Sequence, residues 1–304
     1  MLYRRKVILA LLEEMGGCVT AKCMQKYLFL YSRKQISEKL FDFIPYKYGC
    51  FSFQANQDIM SLANAGYILV ENKDKSECHY RLIHSERYVE TLDMFDAMSI
   101  HEIKEVYGSL SQDELIAYTY RKYPFTAINS VIKDRLLNSD ELQKVDDFKK
   151  RYIKTEPVLM SIGYEGVCLE KYIQQLICND IRVLVDVRRN AFSMKYGFSK
   201  CTLSKACSGV GIRYEHIPQL GIESQQRQSL HTQHDYDVLF DRYEQTTLLE
   251  NRDALLHIHD LIKLEKRICL TCFEKDPRQC HRTRVANALM NLPDVDYKFN
   301  NILL

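Results

Sequence analysis

Apolar side chains recur at helical spacing through the first third of the chain, and the pattern then shifts to short alternating runs. Val7, Leu9, Leu11 and Leu12 mark a first helix that stops near Gly16-Gly17. Met24, Tyr27, Leu28 and Leu30 mark a second after Thr20, and Phe53 to Ala65 predicts a third, closed by Gly66. Tyr67 to Val70 and Cys78 to Leu82 read as strands joined by the polar turn Asn72 to Ser76. Three helices followed by a two-stranded ribbon is the order of a winged helix-turn-helix, so residues 1–85 are expected to form a winged-helix-like module. A protein-interaction platform is the alternative reading of the same pattern.

Residues 86–156 alternate helical segments (Asp93 to Met98, His101 to Tyr107, Ser111 to Tyr123) with polar breaks, and end in the charged connector Asp140 to Lys154. Pro157 opens a different pattern. Apolar runs at Val158 to Ile162, Val183 to Val187, Ile212 to Ile217 and Ile268 to Cys272 predict strands. Between and after them, helices are expected at Cys168 to Cys178, Ser199 to Ser208, Tyr236 to Thr246, Arg252 to Leu264 and His281 to Met290. Strands alternating with amphipathic helices predict an α/β, Rossmann-like parallel sheet over residues 157–304, preceded by the mainly helical, winged-helix-like part.

Composition narrows the class. Hydrophobic residues at 46% and charged residues at 27% describe a globular chain, and no stretch reaches the roughly 18 apolar residues of a membrane helix. Eleven cysteines without a repeated spacing, and no signal peptide, predict free thiols in the cytoplasm. The net charge of +2 conceals a local excess: residues 1–50 carry nine basic side chains against four acids. That excess favours a nucleic-acid partner, DNA ahead of RNA, and no membrane.

In open α/β sheets, ligands bind beyond the carboxyl ends of the strands. The polar residues fall there. Gly163, Tyr164 and Glu165 follow the first strand, Asp186 and Arg188 end the second, His216 ends the third, and Cys272 to Arg282 follows the fourth. Glu165, Asp186, Glu274 and His216 are candidates for acid, base or nucleophile. Arg188, Lys200, Arg227 and Arg282 are candidates for holding phosphate, and Cys280, His281 and Arg282 open a helix whose free N–H groups suit an anion. Cys272 to Arg278 fits Cys-x5-Arg, the spacing of a phosphatase or rhodanese loop, but the loop lacks glycine and carries Glu274 and Asp276, which would repel phosphate. Cys272, Cys280 and His281 lack the paired Cys-x2–4-Cys spacing of most zinc sites, so no metal is expected. Without a Gly-x-Gly-x-x-Gly or a Walker loop, no nucleotide cofactor is expected either.

Five motifs in order resemble the family catalogued as domain of unknown function 488. They are Ser161 to Gly166, Asp186-Val187-Arg188, Tyr196 to Lys200, Gly211 to Pro218 with Leu220-Gly221-Ile222 leading to Arg227, and Cys-Phe-Glu-x-Asp-Pro-x-x-Cys-His-Arg from Cys272. The resemblance covers about residues 157–290. It implies a Rossmann-like domain with these residues, Gly163, Tyr164, Lys200, Cys280 and Arg282 among them, as its shared polar set; it carries no reaction. Where the family often has Pro-x-Ser-Arg, this chain has Ala191 to Met194, and Lys195 is the nearest basic substitute. Lys26 to Tyr31 and Ile44 to Gly49 resemble the Panacea (SocA-like antitoxin) domain, which implies bacterial or phage-conflict biology.

The expected function is a hydrolase acting on nucleic acid, cleaving the N-glycosidic bond of a modified nucleotide, with Glu165 or Asp186 activating water and Arg188 and Arg282 fixing phosphates. A DNA- or RNA-binding regulator or nucleotide sensor is the first alternative. A cysteine-dependent phosphatase or sulfurtransferase built on Cys272 is the second.

Overall fold

The computed structural model describes residues 1–35, 39–74, 77–84, 86–227 and 230–303, with the side chains of 73, 74, 224 and 227 outside that description. The chain divides into two compact units, Met1–Arg151 and Tyr152–Leu304.

Unit 1 runs α1 (Tyr3–Glu14), β1 (Cys18–Thr20), α2 (Ala21–Ser32), β2 (Ile44–Tyr46), β3 (Gly49–Phe51), α3 (Phe53–Asn64), β4 (Ile68–Asp74), β5 (Glu77–Leu82), α4 (Met94–Tyr107), α5 (Gln112–Lys122), α6 (Lys133–Leu136) and α7 (Ser139–Lys150). Local chemistry sets the helix starts. Thr20 accepts from Cys23 N, Ser52 from Ala55 N, and Ser111 with Glu114 forms a reciprocal capping box. β4 pairs antiparallel with β5, and β1 adds on the other side of β5. The sequence pattern did not announce β1 or the β2–β3 hairpin: at three residues each, these strands are too short to show a period. Ile100, Ile103, Tyr107 and Leu115 of α4 and α5 share one core with α1 and α2, and the two helical segments read before and after residue 100 form one continuous α4. The charged stretch from Asp140 lies largely in α7.

Unit 2 is a parallel five-stranded sheet with helices on both faces. Its elements are β6 (Val158–Gly163), α8 (Leu169–Cys178), β7 (Val183–Asp186), α9 (Lys200–Ser208), β8 (Arg213–His216), α10 (Gln233–Tyr243), α11 (Arg252–Glu265), β9 (Arg267–Cys272), α12 (His281–Met290) and β10 (Lys298–Ile302). The strand order is β10-β6-β9-β7-β8, which differs from the 3-2-1-4-5-6 order of dinucleotide-binding sheets. Connections through α8 and α9 step one way along the sheet, and those through α10–α11 and α12 step back. Right-handed crossovers therefore put the two groups on opposite faces. Val183, Val185, Ile268 and Leu270 share a core with α10, α11 and α12, whereas Thr271, on the other face, accepts a hydrogen bond from Tyr172 of α8 at 2.7 Å. Strands covered on both faces favour apolar side chains on both, which is why β6, β7 and β9 read as mostly apolar runs rather than alternating ones.

Register then fixes the site. Gly163 pairs with Cys272, and Asp186 lies level with Thr271 on one side and His216 on the other. Four strands thus end in one row. β9 sits at the switch point, since its neighbours β6 and β7 send their connections one way and β9 sends its own the other. Among the described residues, no helix is long and apolar enough to cross a membrane.

Candidate functional site

Beyond the row of strand ends lies a cavity of about 340 Å³, lined by Tyr164, Arg188, Asn190, Phe192, Cys272 and His281 among others. That volume suits a small ligand. A cavity of about 300 Å³ in unit 1 is more apolar; its one buried cation, Lys26, donates to the Tyr48 and Cys50 carbonyls, and burial holds its pKa below the usual lysine value. Candidate chemistry is denser in unit 2.

The wall of the unit 2 cavity is built on a buried ion pair. Asp186, wholly inaccessible, accepts from Arg188 Nε at 2.8 Å and Nη2 at 2.5 Å, from Arg188 N at 3.1 Å, and from the Tyr214 hydroxyl at 2.6 Å. The remaining Arg188 nitrogen, Nη1, donates to the Tyr164 hydroxyl at 2.6 Å. Burial pushes the Tyr164 and Tyr214 phenols up, and the Asp186 carboxylate adds to the shift on Tyr214. The Tyr164 ring stacks on Phe198 with centroids 4.3 Å apart and meets Phe273 edge-on at 5.4 Å. Asp186 is therefore saturated with donors, and its geometry orients Arg188.

The floor is formed by the end of β9 and the start of α12. Cys272, Cys280 and His281 are 1%, 0% and 1% exposed, and their ligand atoms all lie within 4.8 Å of one another. Cys272 Sγ is 3.3 Å from Glu274 Oε2 and 3.7 Å from His281 Nδ1. His281 Nε2 lies 2.9 Å from the Val187 carbonyl. A carbonyl only accepts, so Nε2 carries a proton and Nδ1 is the ring nitrogen that faces Cys272. Burial, and then the neighbouring Cys272, hold the Cys280 thiol well above its ordinary pKa.

The other candidates lie around this centre. Glu165 is exposed and accepts from Lys275 N at 2.9 Å. Arg282, buried, donates to Ser161 Oγ at 3.2 Å and to the Glu274 and Lys275 carbonyls at 2.5 and 3.3 Å, clamping the loop after β9 to β6. Lys200 and His216 meet at 3.4 Å beside β8, where His216 Nε2 donates to the Arg188 carbonyl. Arg278 of the Cys-x5-Arg spacing is exposed and paired with Asp276 at 2.9 Å. The side chain of Arg227 lies outside the described residues. Ser161 and Tyr214 fall within the quoted motifs but were not among the candidate site residues. Tyr214 was findable: it stands two residues before His216, on the same strand face.

Gly163 is a close-approach glycine. A Cβ there would meet the Glu274 carbonyl that Arg282 clamps. Gly163→Ala is expected to cost about 1–3 kcal/mol of unit 2 stability by overpacking. Amide hydrogen exchange checks it, and a neutral result would mean the loop moves freely.

Residues 168–289 match the family model described as domain of unknown function DUF488. The DUF488 segment holds Asp186, Arg188, His216, Cys272 and His281. Gly163, Tyr164 and Glu165 precede it, and unit 1 lies outside it. No curated protein matches the chain.

Proposed function

We propose that unit 2 is a hydrolase acting on one nucleotide of a nucleic acid and cleaving its N-glycosidic bond. The observation that carries this reading is the cavity itself. Exposed aromatic and thioether side chains in its lining (Phe192, Met194, Phe273) suit a planar base, and Arg188 and Arg189 in its wall suit the attached phosphate. Phe192 and Met194 are largely exposed, as side chains that close over a ligand would be. Since Asp186 is saturated by Arg188 and Tyr214, Glu274, beside the cavity floor, is the carboxylate assigned to activate water, with Glu165 at the mouth. The helix–strand order of unit 1 and its basic first fifty residues support a winged-helix-like module that docks DNA by its phosphates.

A second reading has its own observation. The Cys272–His281 contact is the arrangement of a thiol beside a general base, which would make Cys272 a nucleophile. One experiment separates the two. Wild type, Glu274→Gln and Cys272→Ala are incubated with single- and double-stranded DNA and RNA, unmodified and carrying modified bases, and products are read by mass spectrometry. A free base that disappears in Glu274→Gln while binding persists supports the glycosidic reading. A covalent adduct on Cys272 supports the second. Binding without any product from the wild type sinks both and leaves a sensor.

A further inference from the structure

We propose that Cys272, Cys280 and His281 form a metal site for a zinc-class divalent ion at the floor of the unit 2 cavity. The inference stands on the side-chain cluster and is independent of the substrate class.

Ligand chemistry comes first. Two thiols and an imidazole are the donor set that zinc takes, and three protein ligands with one position left over is the composition of a reactive site. With bonds of about 2.3 Å to sulfur and about 2.0–2.1 Å to nitrogen, a tetrahedral ion separates its sulfur and nitrogen ligands by about 3.6 Å. Cys272 Sγ and His281 Nδ1 stand 3.7 Å apart without an ion between them. The largest separation in the cluster is below 4.8 Å, so small side-chain rotations bring all three atoms onto one ion.

The surroundings fit as well. The ligand-facing nitrogen of His281 is fixed as Nδ1 because Nε2 donates to the Val187 carbonyl at 2.9 Å, the outer hydrogen bond that metal-bound histidines ordinarily make. Cys272 ends β9, and Cys280 and His281 cap and open α12, so all three ligands rest on regular elements. A divalent ion displaces both thiol protons on binding and leaves a neutral cluster with the imidazole. Cys272 and His281 also line the cavity, so the ion's remaining position is on the ligand's side, with Glu274 next to Cys272 to hold a water or to close the coordination. The spacing Cys-x7-Cys-His lacks a paired knuckle because the strand end and the helix start, not a tight turn, bring the ligands together. A metal-bound Cys272 is no longer a free nucleophile, so this site and the cysteine-based reading exclude each other.

The test uses the full chain, purified under reducing conditions from zinc-supplemented growth and from apo protein reconstituted with cobalt(II). The expected result is about one metal per chain by elemental analysis. Cobalt-loaded protein is expected to show a thiolate-to-cobalt charge-transfer band with strong tetrahedral visible bands. Cys280→Ser and His281→Ala are each expected to weaken binding by more than the roughly 10–100-fold typical of losing an outer partner. Cys201→Ser, at an exposed cysteine, retains the metal. If the ligand variants fail to fold, the wild type decides alone: the thiolate-to-cobalt charge-transfer band must be lost on adding a chelator and return on adding cobalt(II). No metal and no cobalt bands, Cys280→Ser binding like wild type, or a Cys272–Cys280 disulfide in the unreduced protein would each overturn the site.

Discussion

Asp186→Ala is expected to cost unit 2 about 3–5 kcal/mol, the range for removing one partner of a buried ion pair. The substitution strands the Arg188 guanidinium, only 5% exposed, and leaves the Tyr214 hydroxyl without its acceptor. Glu165→Gln, by contrast, alters an exposed carboxylate that accepts from the Lys275 backbone amide, and stability is expected to hold within about 0.5 kcal/mol. The chain contains no tryptophan and has two units, so native-state hydrogen exchange on the β7 and β9 amides is the suitable measurement. Equal effects from the two substitutions would refute the assignment of Asp186 as the residue that positions Arg188.

Phe198→Ala is expected to be about as damaging, at roughly 3–5 kcal/mol for a large aromatic removed from a closed core. Phe198 is fully buried, parallel to Tyr164 and edge-on to Tyr172 at 5.2 Å. Its loss removes the surface on which Tyr164 rests, and Tyr164 is the partner of Arg188 Nη1. The same exchange experiment reads the stability, and ligand binding is expected to weaken in Phe198→Leu before that variant unfolds. A stable Phe198→Ala protein would place the support of Tyr164 elsewhere.

Much of unit 2 was legible because its central strands obey a simple rule: covered on both faces, they are mostly apolar, and the helices between them keep their own period. β10 escaped for the converse reason. Lys298-Phe299-Asn300-Asn301-Ile302 is a half-exposed edge strand held by backbone pairing to β6 and by Ser161 donating to Asn301 at 2.6 Å, so it shows no apolar run. The positions of the site could be read from where the strands end. The roles could not, because they depend on the order of strands in space. Nothing in the sequence says that β9 lies between β6 and β7, and only that placement sets Cys272 level with Gly163 and next to the loop of Arg188. The saturation of Asp186 and the orientation of His281 are likewise products of packing, since one depends on Tyr214 of β8 and the other on the Val187 carbonyl just past β7.

The same strand order governs how unit 2 comes into being on the ribosome. β6 and β7 are made in succession but never touch as ladder partners; the gap between them is filled by β9, which begins at Arg267. Until that segment has emerged, the nascent chain has two central strands with unpaired edges, and β6 gains its outer neighbour only from the final strand, Lys298–Ile302. Non-local parallel pairing of this kind makes for slow, late folding and exposes strand edges during synthesis. A chain stalled or truncated before Arg267 is thus expected to be an aggregation-prone intermediate dependent on chaperones, even though it already contains Asp186, Arg188 and His216.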